Sequence, residues 1–352
     1  MNIVSFRHLL RLSDSRGILE HANGTVPRLA HGYCTDDNAR LLVTALDNKG
    51  ISPGADALVG SALRFVLEAR VPGRGFRNRM SFGRTWIDDP TTDDCWGRAL
   101  QALAAAASDT RHRSANRVAG DAFLESARHR SEFPRAAARA ALAAARFLRT
   151  NPGDVVATEL LADSADLIAG VRPEAGMPTS WRWFEDRLSY DNAVLPHSLI
   201  AAGTLLDDPD HLAAGLDALE WLVRDQIDGE HLSLVPHIGR GPADPRPAFD
   251  QQPIEAAALA AAADEASRID RNPLWRWARN AAETWFLGAN DGTRPLLDHE
   301  SGGGYDALTA DGVNTNQGAE STLALVSTLQ RRAQRGDRVD PTGWVKSPSP
   351  AP

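Results

Sequence analysis

Cysteine is nearly absent from this chain: Cys34 and Cys95 are the only two in 352 residues. Two thiols cannot build the disulfide framework of a small secreted domain, so a reducing setting and two buried, free thiols are expected. Long apolar runs are missing too. No stretch approaches the length of a membrane span. Arg7 and Arg11 interrupt the short apolar N-terminal stretch, which is unlike the apolar core of a secretion signal. The expected location is therefore cytoplasmic. Positive charge is not in excess. Lys and Arg number 38 against 46 Asp and Glu, a formal net charge of -8, which argues against nucleic acid or an anionic membrane as partner. Several chemical signatures are lacking: H-E-x-x-H, Cys/His zinc spacing, a P-loop, G-x-S-x-G, and a dinucleotide fingerprint before a helix. No metal and no cofactor is expected.

Helix is what the sequence has in quantity. Ala-rich periodic segments with clear stops predict twelve helices: Ile3–Leu12, Asp37–Leu46, Ala55–Arg70, Trp96–Ala107, Asp121–Glu132, Ala136–Arg149, Ala157–Ala169, Ala193–Leu205, His211–Gln226, Glu255–Ile269, Pro273–Leu287 and Ala319–Arg335. Strand signals are sparse. Helices near 37, 94, 192, 252 and 317 open directly after a polar, acidic motif, whereas the one near 136 does not. The spacing of these starts fits helical hairpins joined by loops. Six hairpins closing into a ring predict an all-α (α/α)6 barrel over residues 1–335, with a polar tail at 336–352. An open solenoid is the competing arrangement. Closure is preferred because the loops before the motif helices are long and unusual, as at a shared mouth.

Five motifs could carry chemistry. His31-Gly32-Tyr33-Cys34-Thr35-Asp36-Asp37-Asn38-Ala39-Arg40 brings two carboxylates, an amide and a guanidinium to a helix start. One Asp suffices for a cap, so the second carboxylate is a catalytic candidate. Asp88-Asp89, then Asp93-Asp94-Cys95-Trp96-Gly97-Arg98, repeats the format. Pro90 interrupts this acidic run and no basic diphosphate site accompanies it, which argues against a Mg²⁺ site. Trp181-Arg182-Trp183 leads to Tyr190-Asp191-Asn192, and Tyr33, Trp96, Trp183 and Tyr190 are the expected sugar-stacking aromatics. Core packing is the plain alternative for each. In Asp250-Gln251-Gln252-Pro253-Ile254-Glu255, Pro253 suits the first helical position and Glu255 the first turn. Gly302-Gly303-Gly304-Tyr305-Asp306 and Asn314-Thr315-Asn316-Gln317-Gly318-Ala319-Glu320 complete the set, the glycines allowing close backbone approach to a ligand. Asp94, Arg98, Asp191, Asn192, Gln251 and Gln252 would bind hydroxyls.

Taken together, the His31–Arg40 segment, Asp94-Cys95-Trp96-Gly97-Arg98-Ala99-Leu100, Tyr190-Asp191-Asn192-Ala193, Asp250-Gln251-Gln252-Pro253 and Asn316-Gln317-Gly318-Ala319-Glu320-Ser321-Thr322 resemble a family of bacterial proteins encoded beside, or fused to, glycosyltransferases. Within it the likeness is to methylmannose polysaccharide hydrolases, which are α-(1→4)-endomannanases. The resemblance spans residues 5–330 and implies an (α/α)6 fold and glycoside hydrolysis. The expected function is an inverting hydrolase of an oligo- or polysaccharide, with Glu255 as acid and Asp37 or Asp36 as base. Asp36 competes with Asp37, and Glu320 with Glu255. An epimerase or lyase on the same barrel, using His31, His197 or His237, is the alternative within enzymes. A glycan-binding partner of a glycosyltransferase is the alternative outside them.

Overall fold

The computed structural model describes residues 5–52, 54–109, 113–173 and 176–335. The expected tail and the start of the first expected helix lie outside these residues. Six helices form an inner ring: α2 (Thr35–Asp47), α4 (Asp94–Ala107), α6 (Pro134–Thr150), α8 (Val194–Leu205), α10 (Pro253–Ile269) and α12 (Ala319–Gln334). Each packs against the next, and α12 returns to pack against α2, so the ring closes. Outside it lie α1 (Arg7–Leu12), α3 (Ala55–Ala69), α5 (Arg113–Ser126), α7 (Val155–Gly170), α9 (Pro209–Gln226) and α11 (Pro273–Trp285). Five hairpins pair each inner helix with the outer helix that follows it. The sixth pairs α12 with α1, from opposite ends of the sequence. The chain is therefore an (α/α)6 barrel.

Local chemistry sets the helix starts. Pro134, Pro209, Pro253 and Pro273 each open a helix, where the missing N–H leaves nothing unsatisfied. Asp154 and Asp208 cap α7 and α9 by accepting from first-turn amides. Each inner helix packs on two inner neighbours and an outer partner, and alanine lets them approach closely. A Cβ on Gly97 of α4 would stand 2.5 Å from the Ala136 carbonyl of α6. One expected helix is displaced: α5 spans Arg113–Ser126 rather than Asp121–Glu132. Ala119, Ala122 and Phe123 form the buried stripe of this segment, whereas Arg128 and Arg130 are exposed and belong to the link into α6.

The connections from inner to outer helices are short, spanning 48–54, 108–112, 151–154, 206–208 and 270–272. Most of those leading from an outer helix to the next inner helix are long, at 13–34, 70–93, 171–193, 227–252 and 286–318. The long ones carry five two-stranded antiparallel ribbons. They pair β1 (Ala22–Asn23) with β2 (Val26–Pro27), β3 (Tyr33–Cys34) with β6 (Arg79–Met80), and β4 (Arg70–Val71) with β5 (Gly75–Phe76). The others join β7 (Ile227–Asp228) to β8 (His231–Leu232) and β9 (Ala307–Thr309) to β10 (Gly312–Asn314). All long loops thus gather at the N-terminal ends of the inner helices. No described helix is long and apolar enough to cross a membrane.

Candidate active site

At that face a cavity of about 470 Å³ opens between the heads of α2, α4 and α12 and the segment before α10. Its floor is set by the first turn of α2. Cys34 is the N-cap: its sulfur accepts from the Asp37 amide at 3.4 Å and donates its own proton to Asp37 Oδ2 at 3.1 Å. Arg40, one turn on, donates from Nη1 to Asp37 Oδ1 at 2.7 Å and from Nη2 to Glu320 Oε2 at 2.6 Å. One guanidinium therefore joins carboxylates from neighbouring inner helices. Asp37 is only 3% exposed, and burial pushes its carboxyl up to about 6, against the pull of Arg40. Beside it, Asp36 Oδ2 accepts from Asn78 Nδ2 at 3.0 Å. Asp36 Oδ1 has no hydrogen bond and stands 4.0 Å from Arg98 Nε.

Asp94, at the head of α4, is raised by burial and accepts from the Tyr190 hydroxyl. The Tyr190 ring is half-exposed on the cavity, with the Arg135 guanidinium 5.2 Å from its centre. Behind Tyr190 the chain turns sharply at Asp191, whose φ of 51° lies in the left-handed region. This turn is pinned from two sides. Glu255 Oε1 accepts from the Asp191 amide, and Oε2 from the Asn192 amide at 3.3 Å and Asn192 Nδ2 at 2.9 Å. The Asp191 carboxylate takes Arg98 Nη2 and Arg139 Nε, each at 3.0 Å. Burial opposes the Asp191 charge, but Arg139 and Arg98 outweigh it and hold the carboxyl below its usual range. Burial and the nearby Asp191 charge push Glu255 up to about 7, against its three donors. Burial, with Arg40 and Arg139 close by, brings Arg98 down to about 10.

Among the expected site residues, Asp36, Asp37, Arg40, Asp94, Arg98, Tyr190, Gln252 and Glu320 line this cavity. Glu255, Asp191 and Asn192 stand one layer behind it, buried. Three of the expected stacking aromatics are core residues instead. Trp96 is fully buried with its indole N–H on the Ser126 carbonyl, Trp183 packs on Trp221 and Phe184, and Tyr33 is buried with its hydroxyl on Asp14. Each polar tip finds an internal partner, which lets the ring go inward. Asn38 bonds to Ile18 and Cys34, Gln251 to Asp291 and Ala248, and Gln317 to Asp298 and Ser301, so all three brace loops. His31 is exposed and meets His21 edge-on, Asn316 accepts from the Gly24 amide, and Tyr305 packs against the core. The Gly303 and Gly304 backbones approach Gln317 and Ser321, parts of the protein rather than a ligand.

The α6 start, which follows no acidic motif, supplies Arg135 and Arg139. A signal was available: two arginines in the first turns of a helix oppose its dipole and call for a carboxylate partner. Glu20, His21 and His237 also line the cavity and had no such signal. Cys34 and Cys95 are both buried and free, as expected.

No family model and no curated protein matches the sequence. Solved structures of similar fold do. One is cellobiose 2-epimerase from Spirochaeta thermophila, 15% identical over 94% of this chain and 93% of that one, with a TM-score of 0.67. Another is the GH76 α-mannanase of Bacteroides thetaiotaomicron, 12% identical over 86% and 87%, with a TM-score of 0.57. A D-mannose isomerase is 10% identical over 92% and 96%, with a TM-score of 0.64. At these identities the likeness is one of fold.

Proposed function

We propose that this protein is a glycoside hydrolase, inverting and endo-acting on an α-(1→4)-linked mannan or methylmannose polysaccharide. One observation carries the reading: a mouth cavity walled by Asp36, Asp37, Asp94 and Glu320, in which burial holds the Asp37 carboxyl up to about 6. Carboxyls of unlike environment sharing one cleft are what acid–base hydrolysis needs. Asp37 keeps its proton into the weakly acidic range and serves as the acid. Glu320, on the more open side with Arg40 against it, serves as the base. Their shared contact with one guanidinium keeps the two carboxylates close, and inversion requires the pair to stand roughly 6.5–9.5 Å apart once sugar and water enter between them. The acid donates its proton to the glycosidic oxygen as that bond breaks, and the base takes a proton from the water that attacks the opposite face. Tyr190 is the stacking ring, and Asp36, Arg98 and Gln252 bind hydroxyls. The polysaccharide class rests on the family resemblance in sequence, and an α-mannanase among the similar folds agrees with it.

Asp37→Asn and Glu320→Gln are each expected to cut turnover on α-(1→4)-mannan by at least about 10²-fold, with glycan binding retained. NMR of fresh product should show the inverted anomer. Glu255→Gln tests the other assignment. A collapse of kcat there, with Glu320→Gln active, moves the acid role to Glu255 and makes Asp37 the base. If all three variants stay active, the hydrolase reading fails. Wild type that binds glycan and releases no reducing ends is a binding protein. His21 and His237 on the cavity wall, with a further cellobiose 2-epimerase and a sugar epimerase among the similar folds, favour a second reading as a sugar epimerase. A change at C2 of a reducing sugar without chain cleavage would establish it.

A further inference from the structure

The barrel axis is hollow. Beneath the mouth a second cavity of about 760 Å³ runs to the C-terminal ends of the inner helices, and Arg40, Arg98 and Glu320 line both cavities. Small inward residues such as Ala39, Ala143 and Ala257 cannot fill it.

Its arginines are mostly matched to acids. Arg146 bonds to Asp47 at 2.8 Å, Arg149 to Glu265 at 2.5 Å, Arg268 to Asp264 at 2.6 Å, and Arg139 to Asp191. Arg331 of α12 is the exception. It lines the same cavity, and among the described residues its guanidinium has no hydrogen-bond or carboxylate partner. His197 of α8 also lines the cavity, and among the described residues its ring has no hydrogen-bond partner. Arg139, Arg331 and Arg149 act on it from α6 and α12. Burial and these three positive groups bring the imidazole down to about 3, and Asp191, the carboxylate within range, is already held by Arg98 and Arg139. An uncompensated guanidinium and a neutral imidazole thus line the same concave, partly desolvated space.

We propose that the barrel axis holds a binding site for a small oxyanion, gripped by Arg331 with His197 and Arg149 beside it, below the mouth cavity. A guanidinium fork matches two oxygens of a phosphate, sulfate or carboxylate. The neutral imidazole carries one ring N–H and so offers a second donor to the anion. The same chemistry could arrive as a free inorganic oxyanion, or as a phosphate or carboxylate on a sugar entering from the mouth.

The proposal stands apart from the hydrolase reading, and its test involves no turnover. Inorganic phosphate, sulfate, D-mannose 1-phosphate and D-mannuronate are titrated calorimetrically into the full chain, with chloride holding ionic strength constant. The His197 ring nitrogens are followed by ¹⁵N NMR. The expected result is binding in the wild type, movement of the His197 signals, and a loss of at least about tenfold in affinity in Arg331→Met, as the loss of a charge-assisted pair implies. Arg331→Lys, which keeps charge and loses the fork, should fall between. Tighter binding of the sugar-borne anions than of phosphate identifies a saccharide end as the occupant, and equal binding identifies a free anion. No binding of any of the four, or equal binding by wild type and a folded Arg331→Met or Arg331→Lys, overturns the proposal.

Discussion

Asp37 depends on the atom that caps its helix. Ser, Thr, Asp and Asn are the favoured N-caps, yet α2 uses the sulfur of Cys34, which also donates to Asp37 Oδ2. A thiol is a weak donor, so it supports the carboxylate less than a hydroxyl would. Cys34→Ser should therefore lower the Asp37 carboxyl below about 6. The limb of the pH–rate profile that Asp37 controls would move to lower pH. Stability should respond with a definite sign. Because the folded carboxyl is raised from 3.8 to about 6, its contribution is full below the lower value and lost as pH rises through the upper one. Cys34→Ser narrows that window and so stabilises the protein at neutral pH. Urea midpoints at acid and neutral pH, with an NMR titration of Asp37, check both statements. An unshifted profile would mean that the thiol does not govern Asp37. At this scale the acid pairs were legible, since a second carboxylate at a helix start exceeds what capping needs. The direction of the aromatics was not. Trp183 faces inward because Trp221, distant in sequence, waits there.

Between elements, the site depends on the close approach of α4 to α6, because these helices carry Asp94, Arg98, Arg135 and Arg139. Gly97 permits that approach. In an isolated helix Gly97→Ala would gain about 1 kcal/mol from propensity. Here the added methyl meets the Ala136 carbonyl at 2.5 Å and the Arg139 Cβ at 2.9 Å, backbone and stem that cannot swing aside. Overpacking of this kind costs about 1–3 kcal/mol, so the net effect should be destabilisation, read as a lower urea midpoint. An unchanged or raised midpoint would show that α4 and α6 can separate. The helix count was readable from apolar periodicity and stop residues. The α5 boundaries were not, because the polar Arg128–Glu132 stretch has no internal feature that separates a last turn from a link.

At the level of the whole barrel, the sequence spacing pointed to six hairpins, but not to the way the ring closes. No local pattern announces that α1 pairs with α12, a contact spanning nearly the whole sequence. His8 Nε2 bonds to the Gln317 carbonyl at 2.8 Å, and Leu9 and Leu12 are fully buried in the core. On the other face of the closure Gln334 Nε2 reaches the Asp47 carbonyl at 3.3 Å. A closed ring has a testable energetic consequence. In an open array each repeat rests on its neighbours alone, and a terminal repeat is held from one side, so a cavity in an end helix would loosen that end locally. In this barrel the hairpin containing α1 has neighbours on both sides, as does the hairpin across the ring containing α7. Leu9 of α1 and Leu160 of α7 are both fully buried. Leu9→Ala and Leu160→Ala should therefore destabilise by similar amounts, each about 2–5 kcal/mol. Amide hydrogen exchange should rise around the whole ring in both variants. A small loss in Leu9→Ala, with exchange confined to α1 and α12, would show that the closing hairpin frays and that the barrel behaves as an open array.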